Sequence, residues 1–498
     1  MKEEFKDVII IGAGLSGIGA ACHLKKRCPS KYFTILESRE NMGGTWDLFK
    51  YPGIRSDSDM YTLGYNFKPW TDPQAIADGP AILKYIKNTA KHYKIDQHIQ
   101  YNHKVLQIEW HSDQSQWSVK VEHQGIEKVI RCNFLITCTG YYNYQAGYTP
   151  NFPNQQSYQG AFIHPQQWPE TLDYKDKKIV VIGSGATAVT LVPELAKQAK
   201  SVTMLQRSPS YLTTLPREDA FLEWLRKFFP DRWVYHFART RNIGFTIAFY
   251  NYCRRFPNHA RKFIAGMAKK ELPANFDMKH FDPKYNPWDE RVCVVPDSDM
   301  FKVLSNGKAE IVTDTIASFT PTGIELDSGK TLDADIIVSA TGLDIQIMGG
   351  IEVLVDNVPY EFSEKMIYRG VLFQDLPNLG MIFGYTNASW TLKADLVSEY
   401  ICRVINQLDK SKTTYAVPRD SHQTPRIPFM DMTSGYIQRA LNKAPQQGSK
   451  LPWRLFQNYL KDMLMLRYGK LNDGVLEFGK TDEKTHSELI NKKEVITE

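Results

Sequence analysis

Two glycine-rich turns, each preceded by a short apolar run and followed by a helical pattern, constrain this chain more than any other feature. The first follows residues 7–11, DVIII, a continuous apolar run of the kind a parallel strand buried on both faces requires. It reads Gly12-Ala13-Gly14-Leu15-Ser16-Gly17 and opens a helix predicted from about Leu15 to Lys26. Gly12 permits the tight turn, Gly14 lets the backbone approach a pyrophosphate, and Gly17 lets helix and strand pack closely, while the helix N-terminus aims N–H donors at the anion. Taken alone, a turn of this shape need bind nothing. The next strand, predicted from Phe33 to Glu37, ends in an acid 20 residues after Gly17, where a carboxylate would accept hydrogen bonds from both hydroxyls of an adenosine ribose. An acid there fits an unphosphorylated ribose, as in FAD or NAD.

The second unit opens at Lys178 with the strand KIVVI, turns through Gly183-Ser184-Gly185-Ala186-Thr187-Ala188, and continues into a helix and the strand VTMLQ. That strand ends at Gln206-Arg207-Ser208 without an acid. Arg207 lies 24 residues after Gly183, where a guanidinium and the Ser208 hydroxyl could hold a 2′-phosphate, which favours NADPH over NADH; the alternative is a solvated surface charge. The stretches FLITCTG at 134–140 and DIIVSATG at 335–342 are both apolar strands ending in Thr-Gly. This repeat supports an α/β chain with two Rossmann-like dinucleotide-binding domains side by side.

Residues 43–57, GGTWDLFKYPGIRSD, show neither helical nor strand periodicity, and a loop of this length inside a compact domain is uncommon unless it is functional or disordered. The Gly43-Gly44 turn, bulky Trp46 and the rigid corner Tyr51-Pro52-Gly53 deliver Asp57 to one place; the alternative is a plain connector. Gly79 to Ile95 has helical spacing and reads as scaffold. Lys104–Trp110, Trp117–Glu122 and FLITC read as an antiparallel flap on the first unit. There Val105 is a core residue, or an adenine contact if its strand passes the cofactor. Between Gly140 and Lys178 the chain is loop-like. Gly160, His164 and Trp168 recur there at four-residue spacing, but Pro165 and Pro169 argue against a continuous helix. A linker between cofactor domains transmits domain motion, so His164 reads as a conformational residue rather than an acid or base.

From Tyr211 to about Lys279 the pattern is helical, with FLEWLRKFF, IAFYNYCRRF and the cations Arg226, Arg232, Arg239, Arg241, Arg254, Arg255, Arg261 and Lys262. The favoured reading is an insertion of helices packed on the core with a solvated basic face. The alternative is helices lying on a membrane surface. In NPWDERVCVVPD, residues 286–297, Arg291 is the chemical candidate, a permanent cation whose burial would need a carboxylate such as Asp57. Glu310 to Asp327 reads as short strands. MIFGYTNASWTLKADL, residues 381–396, reads as a strand, a polar turn and a helix whose N-terminus could face a flavin ring. The charged residues after Lys480 are expected to fray.

Composition removes other classes. With 61 basic and 55 acidic residues in 498, the net +6 gives no argument for nucleic acid. The 12 histidines and seven cysteines include no C-x-x-C and no H-E-x-x-H, so no metal is expected. An odd cysteine count without a disulfide pattern or cleavable signal suggests a reducing, cytoplasmic setting, peripheral to a membrane if the basic helices touch one.

On both glycine turns, on GGTWDLFKYPGIRSD and on YQGAFIHPQQWPE (158–170), the chain resembles the class B flavoprotein monooxygenases, and among them the type I Baeyer–Villiger monooxygenases, from about Val8 to about Gly479. The family's linker motif F-x-G-x-x-x-H-x-x-x-W-P is met at Gly160, His164, Trp168 and Pro169, with Tyr158 in place of Phe. Trp168 is informative, since flavin-containing monooxygenases usually carry Tyr or Phe there. A second signature, G-x-W followed by Y-P-G and an acid, is met by Gly44, Trp46, Tyr51, Pro52, Gly53 and Asp57. The resemblance implies that FAD occupies the first unit through Gly12, Gly14, Ser16, Gly17, Glu37, Gly44, Thr45, Trp46, Asp47, Leu48, Arg55, Ser56 and Asp57, with Val105 at the adenine. It implies NADPH in the second through Gly183, Ser184, Gly185, Ala186, Thr187, Ala188, Arg207 and Ser208. It makes Arg291 and Asp57 catalytic: the cation would hold a C4a-peroxyflavin as the anion that attacks a ketone to give an ester or lactone. In protonated form the same species would oxidise sulfides or thioamides. Many relatives carry a lysine before that arginine to help hold the 2′-phosphate; here the position is Glu290, which weakens the preference for NADPH.

The implied domains are 1–147 and 341–498 for FAD, 158–213 and 290–340 for NADP, and a helical insertion at 214–289. The nearest rival is a flavin-containing or N-hydroxylating monooxygenase acting only on sulfur and nitrogen nucleophiles. A pyridine nucleotide–disulfide reductase needs a redox cysteine pair, and Cys22 with Cys28 or Cys132 with Cys138 are too widely spaced. A non-enzymic redox sensor is a further alternative. If Arg207 reads the 2′-phosphate, Arg207→Ala raises the KM for NADPH much more than that for NADH in steady-state assays; equal effects on both would defeat the assignment.

Overall fold

The computed structural model describes residues 4–430 and 433–481, so the expected fraying beyond Lys480 falls, Thr481 apart, outside the described residues. The apolar run near the N-terminus forms β1 (Glu4–Ile11), whose glycine turn leads into α1 (Leu15–Arg27). β1 pairs in parallel with β2 (Phe33–Leu36), and β3 (Ile99–Gln100) extends the sheet beyond β2. Between β2 and β3 lie the short helices α2 (Thr45–Leu48) and α3 (Met60–Leu63) and the longer α4 (Gly79–His92), which starts on the Asp78 cap. β4 (His103–His111), β5 (Gln116–His123) and β6 (Ile126–Thr137) run antiparallel to one another, and β6 then continues in parallel beside β1, with Phe134 opposite Val8. One long strand therefore belongs both to the flap and to the centre of the sheet.

The chain crosses to a second sheet at β7 (Ala161–Ile163), followed by β8 (Lys178–Ile182), α5 (Ala186–Leu195) and β9 (Ser201–Gln206). Next comes β10 (Leu212–Leu215), a strand inside the region whose sequence pattern read as helical from Tyr211. Thr213 and Thr214 are β-branched and pair in parallel with Val294 and Val295, 81 residues later, so a distant partner overrides the local pattern. The helices are α6 (Ala220–Arg226), α7 (Asp231–Arg255) and α8 (Pro257–Glu271). β11 (Cys293–Pro296) is the partner of β10, and α9 (Asp299–Ser305) leads to β12 (Ala309–Thr313). β13 (Ile316–Thr320), β14 (Gly323–Leu326) and β15 (Thr331–Asp333) form a small antiparallel sheet, and β16 (Ile336–Ser339) completes the second parallel sheet in the order β12-β9-β8-β16-β7.

The chain then returns to the first sheet. β17 (Glu352–Val355) adds to β4, with β18 (Val358–Pro359) outside it. β19 (Ile367–Tyr368), β20 (Leu372–Phe373) and β21 (Leu379–Met381) follow, and β21 lies parallel to β6. The 22-residue α10 (Trp390–Ser411) packs along α1. The fold is thus α/β, with a mixed sheet that has a parallel Rossmann-like centre, a second sheet that is wholly parallel, and a helical insertion.

The insertion corrects one expectation about its cations. Arg239 is 5% exposed rather than solvated, because its guanidinium caps the end of α3: it donates to the carbonyls of Tyr61 and Gly64 at 2.8 Å each and to Thr62 at 3.3 Å. It also faces Asp395 at 3.5 Å, whose carboxylate meets His23 Nε2 at 3.0 Å and accepts the Asn66 N–H at 3.0 Å. Burial opposes ionisation of Asp395, but His23, Arg239 and Asn66 outweigh it and hold its pKa low. Arg241, Arg226, Arg254 and Arg261 pair with Asp219, Glu223, Asp289 and Asp282. Removing one partner of such a buried charge network leaves the other uncompensated, so Arg239→Met is expected to cost about 3–5 kcal/mol of stability, read from denaturant unfolding. A loss within experimental error would show that the network is replaceable.

Candidate active site

Residues 43–57 run from one unit to the other. At their start Gly43 donates to the Ala13 carbonyl at 3.0 Å, and Arg39 pairs with buried Asp47 at 2.8 Å, tying α2 to the first glycine turn. Phe49 and Tyr51 then pack in the core of the second unit with Val189, Val192 and Trp168. The Tyr51 hydroxyl lies close enough to Thr187 for that side chain to oppose the rise that burial imposes on its pKa. At Gly53, φ is +76° and an added Cβ would sit 2.9 Å from the Glu194 side chain, so the Pro-Gly corner lies flat on α5. Arg55, 9% exposed, pairs with Asp299 at the start of α9 through both guanidinium nitrogens, one at 3.3 Å. Ser56 Oγ is spent on the backbone of Ser58.

The run ends at Asp57, whose Oδ2 accepts from Arg291 Nη1 at 3.1 Å. Both open onto one cleft of about 250 Å3, lined by Gly14 and Ser16 of the first turn, Gly44, Thr45 and Trp46 of α2 and its cap, and Ala186 and Thr190 of α5. Burial among the cleft walls opposes the charge on Arg291, the Asp57 carboxylate favours it, and the guanidinium stays protonated. Among the described residues its Nε has no hydrogen-bond partner. The cation is therefore fixed and incompletely satisfied, and faces the space between the units.

The structure brings together in the cleft wall Gly14, Ser16, Gly44, Thr45, Trp46, Arg55, Ser56, Asp57, Ala186 and Arg291. Gly12, Gly17, Glu37, Asp47, Leu48, Gly183, Ser184, Gly185, Thr187 and Ala188 are not among the residues lining it. Glu37 is buried at the end of β2, and its carboxylate accepts the Ala13 N–H at 2.8 Å and the Arg39 N–H at 3.0 Å; burial raises its pKa despite these bonds. Val105 is buried beside Ile9, Ile11 and Leu36. Arg207 and Ser208 are exposed, and Glu290 stands close enough to Arg207 for that charge to oppose the rise that burial imposes on the Glu290 pKa.

Both glycine turns fit dinucleotides. α1 and α5 start on Gly14 and Gly185 without a side-chain cap, so their first N–H groups are not closed off by a side chain. At Gly12, φ is +101° and a Cβ would come within 2.6 Å of the Cys138 carbonyl, whereas at Gly185 a Cβ would meet no atom of the described residues within 4 Å, leaving room for a phosphate.

Sequence reasoning missed an aromatic wall. Tyr141 stacks on Trp390 at 5.2 Å and touches Tyr142 through its hydroxyl, and Trp390 Nε1 donates to Ser16 Oγ at 2.7 Å. Burial pushes both tyrosine hydroxyls above their ordinary pKa, so they stay neutral. The YYNY run just after Thr139-Gly140 was the available signal. The start of α10 does line the cleft, through Trp390.

The linker residues sit apart from the cleft. Gly160 is required by space, since a Cβ would lie 2.6 Å from the Asp335 carbonyl, and Trp168 packs edge-on to Tyr174 in the second core. His164 packs against Gly147, where an added Cβ would lie 1.9 Å from its ring, and its Nε2 bonds the Gly342 carbonyl at 3.1 Å while Nδ1 accepts the Gln166 N–H at 3.2 Å. That pattern needs a neutral ring, and burial lowers its pKa below the ordinary 6.5. The unfolded chain therefore takes up the proton first, so this contribution to stability is complete above about pH 6.5 and is lost as pH falls through the folded pKa. His164→Gln should flatten the dependence of Tm on pH below that point; an unchanged slope would remove His164 as its source.

Comparison with known proteins places this architecture. A family model described as flavin-binding monooxygenase-like matches residues 5–221. The FAD-containing monooxygenase EthA of Mycobacterium tuberculosis is 50% identical over 480 residues, 96% of this chain and 98% of the relative. Among solved structures, OTEMO in complex with FAD and NADP superposes with a TM-score of 0.74 at 21% identity, covering 96% of this chain and all of the other. An open structure of cyclohexanone monooxygenase gives 0.71 at 20% identity, covering 83% of this chain and 90% of the other.

Proposed function

Because this chain belongs to the family of FAD-containing flavin-binding monooxygenases, we propose that it is an FAD- and NADPH-dependent Baeyer–Villiger monooxygenase that inserts one oxygen atom of O2 into ketones to give esters or lactones, with sulfides and thioamides as further substrates. The observation that carries this reading is the Asp57–Arg291 pair at the mouth between the two glycine turns. FAD would lie along Gly12, Gly14, Ser16, Glu37 and Thr45 to Asp57, and NADPH along Gly183 to Ala188 with Arg207 and Ser208. When bound and reduced by NADPH, the flavin supplies the oxygen-activating chemistry.

Arg291 supplies a cation that needs no reorganisation as negative charge develops on oxygen. Asp57 orients that guanidinium through one hydrogen bond and leaves its remaining donors for the reaction. Tyr141, Tyr142 and Trp390 narrow the cleft and exclude water, which strengthens the field of Arg291. His164 and Trp168, in this reading, hold the linker so that the two units close in register.

A second reading, in which only sulfur and nitrogen nucleophiles are oxygenated, accords equally with the match to the flavin-binding monooxygenase-like model. Product analysis on a cyclic ketone and a thioether separates the two. For Arg291→Ala, flavin reduction by NADPH is expected to persist while lactone formation falls ~10²-fold or more; retained lactone formation would reject the role of Arg291.

A further inference from the structure

Residues 220–271, which hold α6, α7 and α8, carry eleven Lys and Arg against three Asp and Glu. That formal excess of eight is partly offset by Asp219, Asp282, Asp289 and Asp395, which pair with Arg241, Arg261, Arg254 and Arg239, and the exposed cations Lys227, Arg232, Arg255, Lys262, Lys269 and Lys270 carry the rest.

The outward face of α7 is nevertheless apolar. Trp233, Phe237, Thr240, Gly244 and Ala248 follow one another at three- and four-residue spacing on the solvent side. No exposed residue from Trp233 to Asn251 is charged, since Arg239 is buried and Arg241 turns to Asp219. Trp233 is 74% exposed, and Phe228 on the α6–α7 connection is 64% exposed. The rings are contiguous: Trp224 meets Phe228 at 5.1 Å and stacks on Phe221 at 6.0 Å, and Phe221 meets Phe237 at 6.2 Å. Lys227 and Arg232 border this patch at one end and Arg255 and Lys262 at the other, all exposed.

Single exposed apolar residues are ordinary, but a continuous aromatic strip rimmed by cations marks an interaction surface. An anionic bilayer meets both parts of it, with an acyl–headgroup boundary for the rings and phosphates for the cations. No helix among the described residues is long and apolar enough to cross a membrane, so the contact is a surface one. We propose that the α6–α7–α8 face docks flat on an anionic lipid bilayer, with Trp224, Phe228, Trp233 and Phe237 at the acyl–headgroup boundary and Lys227 and Arg232 on the phosphates. This docking is independent of the reaction catalysed.

The test is flotation of the full-length holoprotein with phosphatidylcholine vesicles, with and without phosphatidylglycerol, alongside its sedimentation without lipid. The wild type is expected to float only with phosphatidylglycerol present, to be released by high salt, and to show a blue shift of tryptophan emission on binding. The double variant Phe228→Ser, Trp233→Ser should lose flotation, and Lys227→Glu, Arg232→Glu should weaken it, with NADPH oxidation in lipid-free buffer unchanged in both. The proposal is overturned if the wild type stays with the soluble fraction, or if it floats equally whatever the lipid charge or the variant. It is also overturned if the wild type forms a dimer that the Ser variant dissolves and does not float, which would assign the face to a second copy of this chain.

Discussion

The two nucleotide-binding units are held in register by one irregular stretch anchored in both hydrophobic cores. Residues 43–47 are tied to the first glycine turn, Phe49 and Tyr51 are buried in the second core, and the Pro52-Gly53 corner rests on α5. Asp57 is therefore presented by a segment that cannot shift without unpacking large aromatic side chains. Arg291 arrives from the other side, immediately before Val292 and Cys293, which are buried at the start of β11. The hydrogen bond between them is partly exposed, with 45% of the Asp57 side chain and 35% of the Arg291 side chain accessible. Such a pair contributes about 0–1 kcal/mol to stability. Its consequence is positional: it fixes where the cation points, at the open boundary between the units.

The surroundings give that cation its chemical value. Water's high dielectric weakens the field of an arginine in bulk solvent, whereas Arg291 shares its cleft wall with Tyr141 and Tyr142, with Trp390 stacked on Tyr141. The same walls that make its charge expensive to bury make it effective toward any anion formed nearby. The crossings between the units are similarly pinned, as the Gly342 turn after β16 is bonded by both His164 and Tyr148. Motion between the units thus has a small number of definable attachments, consistent with a cleft that must admit two dinucleotides and a substrate.

Local signals were legible in the sequence where the chemistry is local. The apolar runs before Gly12 and Gly183 became β1 and β8, the β4–β5–β6 flap was readable from alternation, and the Thr-Gly echo became β6 and β16, both flanked in parallel. Asp57 was the carboxylate that burial of Arg291 would call for, 234 residues away, and the two do meet, through a partly exposed hydrogen bond rather than as a buried pair. What could not be read was long-range and sterically decided. β10 looked helical because its partner β11 lies beyond the insertion. Arg239 looked solvated because the carbonyls it caps belong to α3. The aromatic wall went unseen because Tyr141 and Trp390 are brought together only by β6 and β21 running side by side.

The most direct test is a double-mutant cycle on the rate of ketone oxygenation at saturating NADPH, comparing Asp57→Ala, Arg291→Ala and the variant carrying both. If the loop positions the cation through this one contact, the effects are strongly non-additive and the double variant is no slower than the slower single. Losses that multiply would mean that Asp57 and Arg291 act separately, and that this contact does not govern the cleft.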